Sequence, residues 1–181
     1  MKVSRVEAEQ NRERIIDVAA KLFRERGFDG IGVADLMKSA GLTHGGFYRH
    51  FASKEDLMEQ ACTRALEVSL AALQQVAERG GENSLSAVAS TYLSPEHRNR
   101  PGEGCILAAL GAESARHGSK LRSTFTQGAR TAIDLLTRLV PGKSKRAKRE
   151  RALATYASMI GAVVLARAVD DAELSDEILQ S

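Results

Sequence analysis

Throughout the 181-residue chain, apolar residues recur three and four positions apart, a spacing that gives an α-helix one apolar face and a β-strand none. Alanine, leucine, glutamate and arginine dominate, β-branched runs are short, and only three prolines interrupt them. The pattern predicts an all-α fold. At 43% hydrophobic, the chain is too apolar to be disordered and long enough to bury a core. Its longest weakly polar run, Ala157 to Ala166, is about half of a membrane span, so no membrane partner is expected. The first ten residues lack an apolar signal core, and Cys62 and Cys105 are too few for a disulfide framework. A cytoplasmic protein with reduced thiols is expected.

The helices can be placed by their punctuation. Ser4-x-x-Glu7 fits a capping box, opening a first helix with Ile15, Ala19, Leu22 and Phe23 inward and Gly27 as its stop. A short second helix is expected from about Val33 to Ala40, with Val33, Leu36, Met37 and Ala40 inward. Gly41-Leu42 then makes a tight turn, and Thr43 caps a third short helix carrying Phe47 and Phe51 one turn apart. Ser53-x-x-Asp56 starts a fourth with no breaker before Gly80-Gly81, about 40 Å long at the usual rise. Beyond it, helices are expected from Ser84 to Leu93, about Glu103 to Arg116, Ser119 to Val140 and Ser144 to Val169. A last turn or two follows Asp171.

Two short helices joined by a glycine turn, with a longer helix on each side, make a helix-turn-helix unit. The net charge of +3 is too small to name a partner, but its distribution is informative. From Leu36 to Lys54 there is no acid, while Lys38, Arg49 and Lys54 are present with His44 and His50 between them. A phosphate-facing surface needs carboxylates to be locally absent. Taken as an α-helix at about 100° per residue, the third helix buries Phe47 and Phe51 and points Gly45, Gly46 and Arg49 outward. His44 and Tyr48 share one flank, and His50 takes the other.

Adjacent glycines cost a helix about 1 kcal/mol each relative to alanine. Close approach of main chain to a large flat partner explains that cost. A DNA major groove admits a helix, and an arginine there reads guanine bidentately. Thr43, His44 and Tyr48 suit phosphate oxygens, and Lys54, in the first turn of the fourth helix, suits another. Singly, each residue also has a plain reading: Thr43 as a cap, Lys38 as a solvated lysine, the histidines as satisfied surface groups. The ordered set favours double-stranded DNA.

The run Ile15-Ile16-x-x-Ala19-Ala20-x-Leu22-Phe23-x-x-x-Gly27-Phe28 is followed by Leu36-x-x-x-Ala40-Gly41-Leu42-Thr43-x-Gly45-x-Phe47-Tyr48-x-x-Phe51-x-x-Lys54-x-x-Leu57. Together they resemble the tetracycline-repressor (TetR) family of bacterial transcription regulators over about residues 10–60. The resemblance implies a three-helix DNA-binding head, residues 1–52, and a larger all-α body, residues 53–181, linked by the helix from about 53 to 79. It implies a homodimeric repressor, not an enzyme, released from a palindromic operator by a small-molecule effector. It also implies that Thr43, Gly45, Tyr48 and Lys54 touch DNA. Three positions depart from the family pattern: Gly32 replaces the usual Ser/Thr cap, Met37 a small residue, and Gly46 an alanine, threonine or serine.

The body carries no motif as specific. In the helix from Ser144 to Val169, Leu153, Tyr156, Ile160, Val163 and Val164 form an apolar stripe, with Ala152, Ala157, Gly161 and Ala162 small enough for close helix contact. Leu153, Tyr156, Ala157, Ile160, Gly161 and Val164 are the candidate dimer interface; an internal core helix is the other reading. Cys105 follows Arg100-Pro101-Gly102-Glu103-Gly104, which places it in the first turn of a helix. There it is either an electrophile or oxidant sensor or a small buried hydrophobe. Cys62, between Leu57 and Leu66, is expected in the core. Lys143, Lys145, Arg146, Lys148, Arg149 and Arg151 read as a solvated charge run. His97 and His117 flank Cys105 without a tight ligand pair, so no metal and no cofactor are expected. A cysteine-dependent enzyme using Cys105 with either histidine is the remaining alternative, without any familiar catalytic motif to support it.

Overall fold

The computed structural model describes residues 4–181, and every regular element among them is helical. Helix α1 (Arg5–Arg26) opens at the expected capping box: the Glu7 amide donates to Ser4 Oγ at 3.1 Å, and the Ser4 amide donates to Glu7 Oε2 at 2.8 Å. It stops at Gly27, whose φ of +77° only a glycine adopts without strain. After α2 (Val33–Ser39), Gly41 turns the chain at φ +72° into a short helical segment, His44–Arg49. Next comes α3 (Lys54–Gly80), capped by Ser53 Oγ accepting from the Asp56 amide at 3.2 Å. The body continues with α4 (Ser84–Tyr92), α5 (Pro95–Asn99), α6 (Ile106–Ser114), α7 (Ser119–Leu139), α8 (Lys145–Ala168) and α9 (Ala172–Gln180).

Three local expectations need correction. The third helix is a 3-10 helix, and the Thr43 side chain makes no cap bond. Two consecutive glycines withdraw roughly 2 kcal/mol of helix propensity there. Burial of Phe47 and Phe51, about 1.5–3 kcal/mol each, holds the segment instead. The helix expected from about Glu103 begins only at Ile106, because Pro101–Glu103 forms a separate 3-10 turn. Before it stands α5, a short helix not foreseen, with Pro95 in its first turn and Ser94 Oγ accepting from the His97 amide at 3.1 Å.

Two apolar clusters hold the chain together. The first joins α1, α2, Phe47 and Phe51 to Leu57–Leu66 of α3 and to Ile106, Leu110, Leu121 and Phe125 of the body. The N-terminal helices therefore share a core with α6 and α7. At the surface, Arg64 of α3 binds Glu13 and Asp17 of α1, contacts that contribute about 0–1 kcal/mol each. The second cluster, centred on Val88, Leu136, Tyr156 and Val163, lies among α3, α4, α7, α8 and α9. No helix among the described residues is long and apolar enough to cross a membrane.

Candidate nucleic-acid interface and cavity

The 3-10 geometry regroups the outward residues of His44–Arg49. At three residues per turn, Gly45 stacks with Tyr48 and Gly46 with Arg49. Phe47 is fully buried, T-stacked on Tyr48 at 5.2 Å and tilted against Phe51 at 5.5 Å. Tyr48 is 70% exposed. Thr43, His44, Gly45 and Arg49 are exposed beside it, and Lys38 is exposed on the preceding helix. A side chain built at Gly45 would meet nothing within 4 Å. Gly46 does not share that open face as the α-helical wheel expected. It is half-buried, and a Cβ there would lie 3.5 Å from Met37 Cε.

His50 is half-buried at the rim. Lys54 is placed differently from a free phosphate ligand: its Nζ donates to the Phe28 carbonyl at 2.6 Å. That bond ties the start of α3 to the turn between α1 and α2. The same turn is held from the body, where Glu113 Oε2 accepts from the Phe28 amide at 2.9 Å and His117 stacks edge-on to Phe28 at 4.9 Å. His117 thus serves the junction between head and body.

In the body, a cavity of about 280 Å³ opens between α3, α4 and the Glu103–Cys105 strand of chain. Leu70, Leu73 and Val76 form its apolar side; Tyr92, His97, Cys105 and Tyr156 form the polar one. His97 is locked between two backbone groups. Its Nδ1 bonds the Tyr92 carbonyl at 2.6 Å, and its Nε2 lies 2.9 Å from the Cys105 amide nitrogen. The carbonyl needs a donor and the amide needs an acceptor, so the ring is neutral with its proton on Nδ1. Burial lowers its pKa, in keeping with that form. With Nε2 occupied by an amide, His97 has no lone pair to take a proton from the thiol, which removes the geometry that a His97–Cys105 catalytic pair requires.

Cys105 stands at the N-cap of α6, with its Sγ 3.8 Å from the Tyr156 hydroxyl. Cys62 is sealed in the first cluster, where burial pushes its thiol up to about 12. Tyr156, expected on the dimer face, is only 5% exposed and faces this cavity. The reason lies in α8, which has two apolar stripes rather than one. Ala152, Tyr156, Met159, Val163 and Ala166 point into the molecule, while Leu153, Ala157 and Val164 are exposed on another side with Ile160 and Gly161 half-buried between.

Two arginines without a distinguishing signal in the sequence hold the cavity wall. Arg24 of α1 donates to the Gly104 carbonyl at 2.8 Å and to Ala20 of its own helix at 2.9 Å. Arg167 of α8 donates to the carbonyls of His97 at 2.6 Å and Arg98 at 3.0 Å. Arg24 sits among charged neighbours in Arg24-Glu25-Arg26, so by pattern alone it matches a solvated helix end. No group of three or more His, Cys, Asp or Glu among the described residues is arranged to hold a metal ion.

Residues 15–61 match the family model described as bacterial regulatory proteins, tetR family. The HTH-type transcriptional repressor NemR of Escherichia coli is 30% identical over 129 residues, 70% of this chain. That match spans 65% of NemR's own length. The reduced form of E. coli NemR superposes with a TM-score of 0.77 at 25% identity, covering 94% of this chain and 93% of that one. A TetR regulator from Chloroflexus aurantiacus gives 0.76 at 26% identity, covering 96% and 92%. One from Cytophaga hutchinsonii gives 0.82 at 20% identity over 99% and 94%, which shows the shared fold.

Proposed function

Since the chain belongs to the TetR family of bacterial regulatory proteins, we propose that it is a homodimeric, cytoplasmic repressor that leaves its operator when a small molecule fills the body cavity. The observation that carries this reading is the exposed, carboxylate-free face of Thr43, His44, Gly45, Tyr48 and Arg49, with open space at Gly45. Such a face brings backbone close to base edges while Tyr48, Thr43 and His44 take phosphate oxygens and Arg49 reads a guanine. Lys38 and His50 stand at its rim, and Gly46 supports it from behind. Lys54 acts there by fixing the start of α3, with two of its three ammonium donors left over for a phosphate.

The outer stripe of α8 supports the dimer. Leu153 and Val164 are 44% and 43% exposed, and space is open beside Gly161. A two-fold pairing there sets two heads one duplex turn apart, about 34–36 Å, or somewhat farther. Coupling to the cavity follows from Arg24: one guanidinium bonds both α1 and the Gly104 carbonyl beside Cys105. A ligand that displaces the Glu103–Cys105 wall acts on α1 and, through it, on the head. Release requires that the ligand bind the released form more tightly than the DNA-bound one.

The test is selection of bound fragments from randomised duplex DNA, followed by salt titration on the selected palindrome. With about six phosphate contacts, affinity falls on the order of a thousandfold between roughly 50 and 200 mM salt. A flat salt response, or selection of no sequence, contradicts the reading.

A second reading makes Cys105 the sensor of electrophiles or oxidants. What favours it is position: Cys105 lines the cavity while Cys62 is sealed in the core.

A further inference from the structure

We infer that the second copy lies antiparallel on α8, so that the basic start of α8 in each chain faces the acidic segment that follows α8 in the other. This rests on the reading of the protein as a homodimer and fixes how its two copies lie. Three blocks follow one another here. Residues 138–151 hold seven Lys or Arg against one acid, Glu150. The exposed apolar stripe of α8 comes next, with Leu153, Val164 and Leu165 at 44%, 43% and 57% exposure. Residues 170–177 then hold five acids and no Lys or Arg.

Both charged blocks lie at the surface. Arg146 is 90% exposed, Lys145 and Arg149 are exposed beside it, and Asp170, Asp171 and Glu173 are exposed at the other end. Within the chain, Arg146 binds Glu150 at 2.8 Å and Arg149 binds Asp134 at 2.9 Å, exposed pairs of small worth. Lys145, Asp170 and Glu173 form no ion pair among the described residues. Cations at a helix N-terminus are mildly unfavourable, and acids facing them from another chain offset that cost. At about 100° per residue, Arg146 falls in line with Val164 and within about 20° of Leu153, so it continues the apolar stripe.

A two-fold contact has to be self-complementary, because the same surface serves both chains. An axis midway between Leu153 and Val164 lets each cover the other across the interface. About that axis Arg146 comes opposite the partner's Asp171, with an acid on either side of it. Arg146 stands about 19 Å from the axis along α8. At a crossing of about 20°, the two helices diverge by about 7 Å over that distance, within the reach of an arginine side chain. Exposed Ala157 and the open space at Gly161 let them approach closely at the centre. A parallel pairing covers the same stripe but sets base on base and acid on acid. Charge therefore selects between two arrangements that the apolar stripe alone allows.

Three variants of the full-length protein test the orientation by sedimentation in low salt, where surface charges are least screened. One reverses the basic block with Lys145→Glu and Arg146→Glu, one reverses the acidic segment with Asp170→Lys and Glu173→Lys, and one carries all four changes. The side chains are exposed, so melting temperatures should stay near that of the wild type. Each two-site variant should dimerise at least about tenfold more weakly than the wild type, and the four-site variant should recover to within about threefold. Tagged wild type mixed with the four-site variant should form no mixed dimer, since the unlike chains present like charges at both ends. Two-site variants as tight as the wild type, a four-site variant that stays weak, or free mixing with the wild type overturns the antiparallel arrangement while the homodimer stands. A wild type that sediments as a monomer contradicts the homodimer itself and the inference with it.

Discussion

At the scale of single residues, the two cysteines separate by their surroundings. Cys62 packs in the first cluster with its thiol pushed up to about 12, so it carries almost no thiolate at neutral pH. Cys105 lines the cavity with Tyr156 as its polar neighbour. A thiol-reactive compound that enters the cavity should therefore modify Cys105 and spare Cys62 in the native protein, as peptide mass mapping would reveal. In Cys105→Ser, operator binding should persist while release by such a compound disappears. Release unchanged in that variant would exclude thiol sensing. The placement of Cys62 was legible from its position between Leu57 and Leu66 in a long helix. Cys105 was not, because its environment is assembled from Tyr156, His97 and Arg24, residues that lie 51, 8 and 81 positions away.

At the scale of elements, local spacing foretold the α-helices well wherever caps and stops were explicit. Ser4, Gly27 and Ser53 act as written, and α3 and α7 end within a residue or so of their expected limits. It misjudged the segment His44–Arg49, because a wheel drawn at α-helical pitch cannot register that two glycines and buried aromatics favour a tighter turn. It also merged the two stripes of α8, sending Tyr156 outward, since an apolar residue on a helix does not announce which neighbour it meets. The connection from α5 to α6 was hidden for a similar reason. His97 clamps it by bonding the Tyr92 carbonyl and the Cys105 amide, and Arg167 bonds the His97 carbonyl.

The clamp makes the fold sensitive to mild acid. His97 has its pKa lowered by burial, so the unfolded chain binds its proton more readily than the folded one. Its contribution is fully present above about 6.5, the ordinary value, and is lost as pH falls below it toward the lowered value. The melting temperature should drop as pH falls below about 6.5, above the range of ordinary carboxylates. In His97→Gln that drop should shrink. An equal drop in both proteins would place the sensitive group elsewhere.

At the scale of the whole molecule, one apolar core runs from α1 through the start of α3 into α6 and α7, and a second fills the rest of the body. The cavity opens beside the second core, and Arg24 reaches from the first to the chain segment that walls the cavity. A helix-turn-helix head mounted in this way is positioned by the body rather than merely tethered to it. In the proposed function, this is how a ligand in the body would act on a surface that it does not touch. The sequence spelled out the head through spacing, because glycines, aromatics and caps act over a few residues. The cavity draws on residues from 69 to 156, and no local pattern records that meeting.

In the proposed complex, Gly45 and its neighbours bring main chain flush against duplex DNA. Gly45 offers a clean probe, since a side chain there meets nothing within 4 Å in the protein itself. The direct measurement is affinity of wild type and Gly45→Leu for the selected operator, with melting temperature recorded in parallel. Melting should be unchanged and operator binding weakened at least about a hundredfold, a penalty on the scale of one or two mismatched base pairs. Unchanged affinity in a variant that folds normally would contradict the claim.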